Sequence, residues 1–142
     1  MTEIVVEQRV AAPPATVYRY LTDSTKWALW QGPTATIDAR AGGIFSIING
    51  KGMNARGQFV ELEQDRRVVF TWGWVDQPGI PPGSTTVEIE LVEEATGTLI
   101  ILSHRELPET ESALHQQGWQ HYLPRLALVA SGKDPGPEVD LM

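Results

Sequence analysis

Val68-Val69-Phe70-Thr71-Trp72-Gly73-Trp74 is the stretch on which the fold turns. In an extended chain Val68, Phe70, Trp72 and Trp74 share one face, and Val69, Thr71 and Gly73 share the other. β-Branched and aromatic residues at period two make a strand, and an aromatic face of that size must be buried. The same period continues on both sides. Downstream, Val87, Ile89 and Leu91 alternate with Glu88 and Glu90, the pattern of a half-buried strand. Ala95-Thr96-Gly97 turns that strand into Thr98 to Arg105. Upstream, Met53 to Leu62 reads as a strand ended by Glu63-Gln64-Asp65-Arg66, and Phe45 and Ile47 share a face of the one before. Asn49-Gly50-Lys51-Gly52 reads as the hairpin turn between them. Thr36-Ile37-Asp38 is a further strand, turned by Arg40-Ala41-Gly42-Gly43. Asp76 to Gly83, with three prolines and two glycines, is a long loop.

The flanks follow other periods. Ile4 to Val10 alternates as a strand. Pro13 and Pro14 suit the first turn of a short helix carrying Val17, Tyr18 and Leu21. Thr22-Asp23-Ser24 caps a second short helix containing Lys26, Trp27 and Trp30, and Gln31-Gly32-Pro33 stops it. After Glu109, residues Leu114, His115, Trp119, Tyr122, Leu123, Leu126 and Val129 recur at helical spacing. Pro124 lies inside that helix, where it removes one backbone bond and predicts a kink. The order is strand, two short helices, consecutive strands, one long helix. Consecutive strands pair as an antiparallel meander, and the terminal helix is the only long element able to cover its apolar face. An α+β domain over residues 1–130 follows: a curved antiparallel sheet of about six or seven strands around a long C-terminal helix. Residues 131–142 read as a loose tail.

Composition bounds the function. The 142 residues fit one domain, and a 42% apolar fraction supports a core. The net charge of -7 disfavours nucleic acid and anionic membrane surfaces. Without cysteine there is no disulfide, thiolate nucleophile or Cys-based zinc site. The three histidines, His104, His115 and His121, lack metal-ligand spacing, so no metal is expected. The first residues show no signal peptide and no run is long enough to span a membrane, which points to the cytoplasm.

Several short motifs resemble those of a known family when taken in order. They are Trp30-Gln31-Gly32-Pro33, Asp38-Ala39-Arg40-Ala41-Gly42-Gly43, Gly57-Gln58-Phe59-Val60-Glu61, and Val68 to Trp72. They continue through Gly97-Thr98, Ser103-His104, Leu107-Pro108 and His115-Gln116-Gln117-Gly118-Trp119. Together they resemble the SRPBCC (START-like, birch-pollen-allergen-like) superfamily, in the branch named for the activator of the heat-shock-protein-90 ATPase. The resemblance covers nearly the whole chain and implies a helix-grip fold. It specifies activity poorly, because that superfamily hosts binders, transporters and enzymes. One departure is that Leu99 and Ile101 stand at outward positions that are usually polar in relatives. They suit a homodimer contact, coverage by the tail, or plain β-propensity.

Alternation and helical spacing direct an aromatic set inward: Trp30, Phe45, Phe59, Phe70, Trp72, Trp74, Trp119 and Tyr122. The set is either an ordinary aromatic core or the wall of a cavity for a hydrophobic small molecule. His104 shares the inward face of Ile100 and Leu102, and His115 lies on the inward helix face. Either imidazole is a core group or a polar contact for a ligand. Asp38 and Arg40 are expected on one strand face, and Glu61, in register with Phe59, near the interior as a partner for Arg40. The leading expectation is a small-molecule binding domain. The alternatives are a cofactor-independent cyclase- or dehydratase-like enzyme, with His104 and Asp38, Arg40 or Glu61 moving protons, and a co-chaperone-like interaction module.

Overall fold

Six of the seven strands follow one another in a meander, and the first strand closes onto the last. The structure, a computed structural model, describes residues 2–49 and 52–136. Its elements are β1 (Thr2–Val10), α1 (Pro14–Thr22), α2 (Ser24–Ala28), β2 (Thr34–Ile37), β3 (Ile44–Ile48), β4 (Asn54–Glu63), β5 (Arg67–Trp72), β6 (Thr85–Glu94), β7 (Gly97–Leu107) and α3 (Glu109–Ala130). The sheet order is β1-β7-β6-β5-β4-β3-β2, and every pairing is antiparallel. This is the curved sheet with a long C-terminal helix and two short helices that the periods predict. The expected hairpin turn at Asn49-Gly50-Lys51-Gly52 falls partly outside the described residues.

Local chemistry explains the short helices. Pro14 opens α1, where a missing N–H costs nothing. The Asp23 carboxylate accepts from the Lys26 amide at 2.9 Å and caps α2. The Ser24 hydroxyl accepts from the Ile37 amide at 2.8 Å, which occupies part of the free edge of β2. Pro124 sits inside α3 as expected. Beyond α3 the described chain turns back, and Arg125, on the helix, donates to the Pro135 carbonyl at 3.2 Å.

The concave face and α3 enclose one hydrophobic cluster, into which α1 and α2 insert Val17, Leu21 and Trp27. On the convex face Arg67 binds Glu61, Glu63 and Glu88, while Arg105 reaches Glu88. Burial alone would raise the Glu88 pKa, but the hydrogen bonds from Arg105 and Arg67 outweigh it and hold the carboxyl below its ordinary value. Leu99 and Ile101 do lie on this outer face, half-buried, beside the exposed Val92 and the Glu7–Ile101–Glu90 row.

Candidate functional site

Three elements bring the polar interior together. β5 carries Trp72, and Trp74 follows it, tied to β4 by an isolated bridge with Ala55. Thr85 opens β6 directly opposite Trp72, and His104 on β7 lies opposite Val87. From α3, His115 and Trp119 are one helical turn apart and point to the same place. The Trp72 ring stands 5.3 Å from Trp119 and 5.9 Å from His104, and the two imidazoles are 5.3 Å apart edge to face. All these groups are buried.

The hydrogen bonds fix both histidine tautomers. An indole N–H can only donate. Trp119 Nε1 donates to His104 Nδ1 at 3.1 Å, so Nδ1 is bare and Nε2 carries the proton. His104 Nε2–H then donates to Thr85 Oγ1 at 2.9 Å, and the Thr85 hydroxyl donates to the Trp72 carbonyl at 2.8 Å. His115 has the opposite tautomer. Its Nε2 accepts from Trp74 Nε1 at 3.1 Å, and its Nδ1–H donates to the Glu111 carbonyl at 2.9 Å. Protonating either ring would set two N–H groups against each other. Burial, and then the facing His115, keep His104 well below its ordinary pKa. Burial lowers His115 too, against a smaller opposing pull from the Glu111 carbonyl and carboxylate. Both rings are therefore neutral near pH 7, and neither has a nitrogen to spare for a substrate.

Two buried side-chain nitrogens of the described residues are left over, Trp72 Nε1 in this cluster and His121 Nε2 beside Tyr122 on α3. Trp72 Nε1–H has no acceptor among the described residues. Trp72 also lines a small void with Gln31, Asn49, Met53, Trp74 and Tyr122, of about 10 Å³. That is the lower limit for a single water molecule. Of the two readings the sequence leaves open, an aromatic core or a cavity wall, the rings here mostly take the first and leave only this small void. Phe45 stacks on Phe70 at 4.2 Å, and Phe59 packs 6.0 Å from Phe45. The reason is Trp27 on α2, whose ring lies 4.8 Å from Trp30, 5.1 Å from Phe45 and 5.8 Å from Phe70.

The three charged candidates do not join this interior. The expectation that Asp38 and Arg40 share a strand face is corrected: β2 ends at Ile37, and the two pair with each other in the following turn at 2.8 Å. Both side chains are solvent-exposed there. Glu61 is corrected as well. A β-bulge between Phe59 and Glu61 shifts the register and places Glu61 opposite Val69 on the outer face. Its partner is Arg67 at 2.7 Å, not Arg40. Residue patterns missed Thr85, Gln31 and Trp27. Thr85 stands two positions before Val87 on the inward face, so extending that alternation would have found it. Trp27 and Gln31 are four apart, and the Gln31 side-chain oxygen accepts from the Trp27 indole at 3.0 Å.

The comparisons agree with this architecture. A family model described as "Activator of Hsp90 ATPase homolog 1-like protein" matches residues 11–131. The solution structure of an AHSA1-like protein from Rhizobium etli is 41% identical, with 96% of this chain and 86% of that one covered, at a TM-score of 0.76. CalU16 from Micromonospora echinospora is 30% identical over 92% of this chain and 76% of its own, with a TM-score of 0.75. The Aha1 dimer from Colwellia psychrerythraea shares the fold at 16% identity and a TM-score of 0.81, covering 93% of this chain and 98% of its own. No curated protein matches the chain.

Proposed function

The chain belongs to the activator of Hsp90 ATPase homolog 1-like family, and on that premise we propose that it is a small-molecule binding domain. Its hydrophobic or amphipathic ligand enters the sheet–helix interior at the void beside Trp72. The observation that carries this reading is the buried Trp72 indole, which lines that void and whose Nε1–H has no acceptor among the described residues. A buried donor without a partner costs about 1–3 kcal/mol and is uncommon in folded proteins. A bound acceptor would recover that cost.

Room for a ligand comes from Met53. It packs on the core from the turn between β3 and β4 and is only half-buried. An unbranched thioether side chain can swing aside without breaking the sheet. Acid–base chemistry has less support. His104 and His115 have both nitrogens engaged, and Asp38, Arg40 and Glu61 lie outside the interior.

Tryptophan fluorescence titrated with neutral aromatic compounds such as flavone, benzophenone and naphthalene tests the reading. Saturable quenching is expected, with affinity raised several-fold in Met53→Ala, where the plug is shortened. No saturable change in either protein would count against binding at this site.

The outer face favours a second reading, self-association. Val92 and Val5 are 40% and 51% exposed and flank the half-buried Leu99 and Ile101. Light scattering on the purified chain should then give a dimer mass that Ile101→Lys returns to a monomer. A monomer at every concentration for the unaltered chain would dismiss it.

A further inference from the structure

We infer that the ligand is an uncharged molecule presenting a hydrogen-bond acceptor, such as a carbonyl or ether oxygen, to Trp72 Nε1–H and the Gln31 amide. This rests on the binding reading above and adds the polarity of what is bound.

The bonding of the interior dictates that polarity. There are five tryptophans. Four of their indole N–H groups have protein acceptors: the Gln31 side-chain oxygen for Trp27, the Tyr20 carbonyl for Trp30, His115 for Trp74 and His104 for Trp119. Among the described residues Trp72 alone of the five has none, although it is 1% exposed. The second donor follows from the first of those bonds. Because the Trp27 indole can only donate, the Gln31 oxygen must face it, which turns the Gln31 –NH₂ the other way. Gln31 is 3% exposed and lines the same void, so its –NH₂ is the second donor open to a bound acceptor.

Acceptors nearby are committed. His104 Nδ1 and His115 Nε2 receive indole protons, and the Asn49 side-chain oxygen takes the Met53 amide at 3.0 Å. No side chain lining the void carries a formal charge. An ammonium group there would meet N–H groups without a counter-charge, and a carboxylate would lose its hydration for two neutral donors. A neutral oxygen satisfies both donors without bringing a charge into the core.

Three compounds of nearly the same shape separate the possibilities: acetophenone, isopropylbenzene and α-methylbenzylamine. Each is titrated into the ¹⁵N-labelled full chain while the indole N–H resonances are followed. Acetophenone is expected to shift the Trp72 indole proton downfield in a saturable way. Its dissociation constant should be about tenfold lower than that of isopropylbenzene, the worth of one net hydrogen bond. The protonated amine should bind at least as weakly as the hydrocarbon. In Trp72→Phe the preference for acetophenone should fall toward one, and the wild-type ranking tests the inference even if that variant does not fold. Equal or tighter binding of isopropylbenzene or the amine would overturn the inference while leaving the binding reading intact. If no compound moves any core indole, in the wild type or in Met53→Ala, the binding reading fails and the inference falls with it.

Discussion

Gly73→Ala should lower the unfolding free energy by about 3 kcal/mol, while Gly79→Ala in the adjoining loop should be neutral or slightly stabilising. The two substitutions are chemically identical. At Gly73 an added Cβ would lie 1.7 Å from the Pro81 carbonyl oxygen and 2.3 Å from its carbon. Both atoms are backbone, so no side chain can rotate away and the main chain itself must move. That movement would strain the bonds from the Arg56 amide to the Gly73 carbonyl, 2.9 Å, and from the Trp74 amide to the Ile80 carbonyl, 2.8 Å. At Gly79 nothing lies within 4 Å of the added atom. Its effect is then only the entropy removed from the unfolded chain. Urea unfolding of the two variants measures the contrast. Equal stabilities would mean that loop and strand are not packed this closely.

The second large effect is on stability as a function of pH. Histidine in the unfolded chain titrates near about pH 6.5. In the folded chain burial lowers both His104 and His115, His104 further. Below about pH 6.5 the unfolded state therefore binds more protons than the folded state. Stability is complete above that value and declines as pH falls toward the depressed folded values. The limiting slope is about 1.4 kcal/mol per pH unit for each linked proton. His104 faces His115 across the interior, and among charged groups His115 meets Glu111 on its own helix, 3.8 Å away. Glu88 acts in the same direction but at lower pH, because its pKa is held below the ordinary carboxylate value. Chemical unfolding between pH 5 and 7 should show uptake of one to two protons on unfolding, roughly the two buried imidazoles. His104→Gln should reduce that uptake by about one. A flat profile over this interval would mean that the imidazoles are solvated in the folded chain.

Much of this arrangement was legible because two periods carry it. Alternation along 68–74 put Phe70, Trp72 and Trp74 on one face, and the same rule on β7 turned His104 inward with Ile100 and Leu102. Helical spacing put His115, Trp119 and Tyr122 on one side of α3. The failures come where periodicity breaks. Alternation from Phe59 points Glu61 inward, but the bulge between them, which leaves no mark in residue type, turns it out. Asp38 and Arg40 look like strand residues because nothing in the sequence places the end of β2 at Ile37. The volume of the interior was not legible either. Whether eight rings line a cavity or fill it depends on how deeply α2 inserts Trp27, a matter of tertiary packing. The tautomers needed atomic distances, since the same histidines could have offered free nitrogens in another register.

Two neutral, fully committed imidazoles and one uncommitted indole define the interior. A long-range ¹H–¹⁵N correlation spectrum of the full chain at neutral pH reports all of these nitrogens at once. It should show His104 protonated on Nε2 and His115 on Nδ1, opposite tautomers, with the indoles of Trp74 and Trp119 hydrogen-bonded and that of Trp72 not. A protonated or tautomer-averaging imidazole at either position, or a Trp72 indole already bonded to a protein acceptor, would contradict this arrangement.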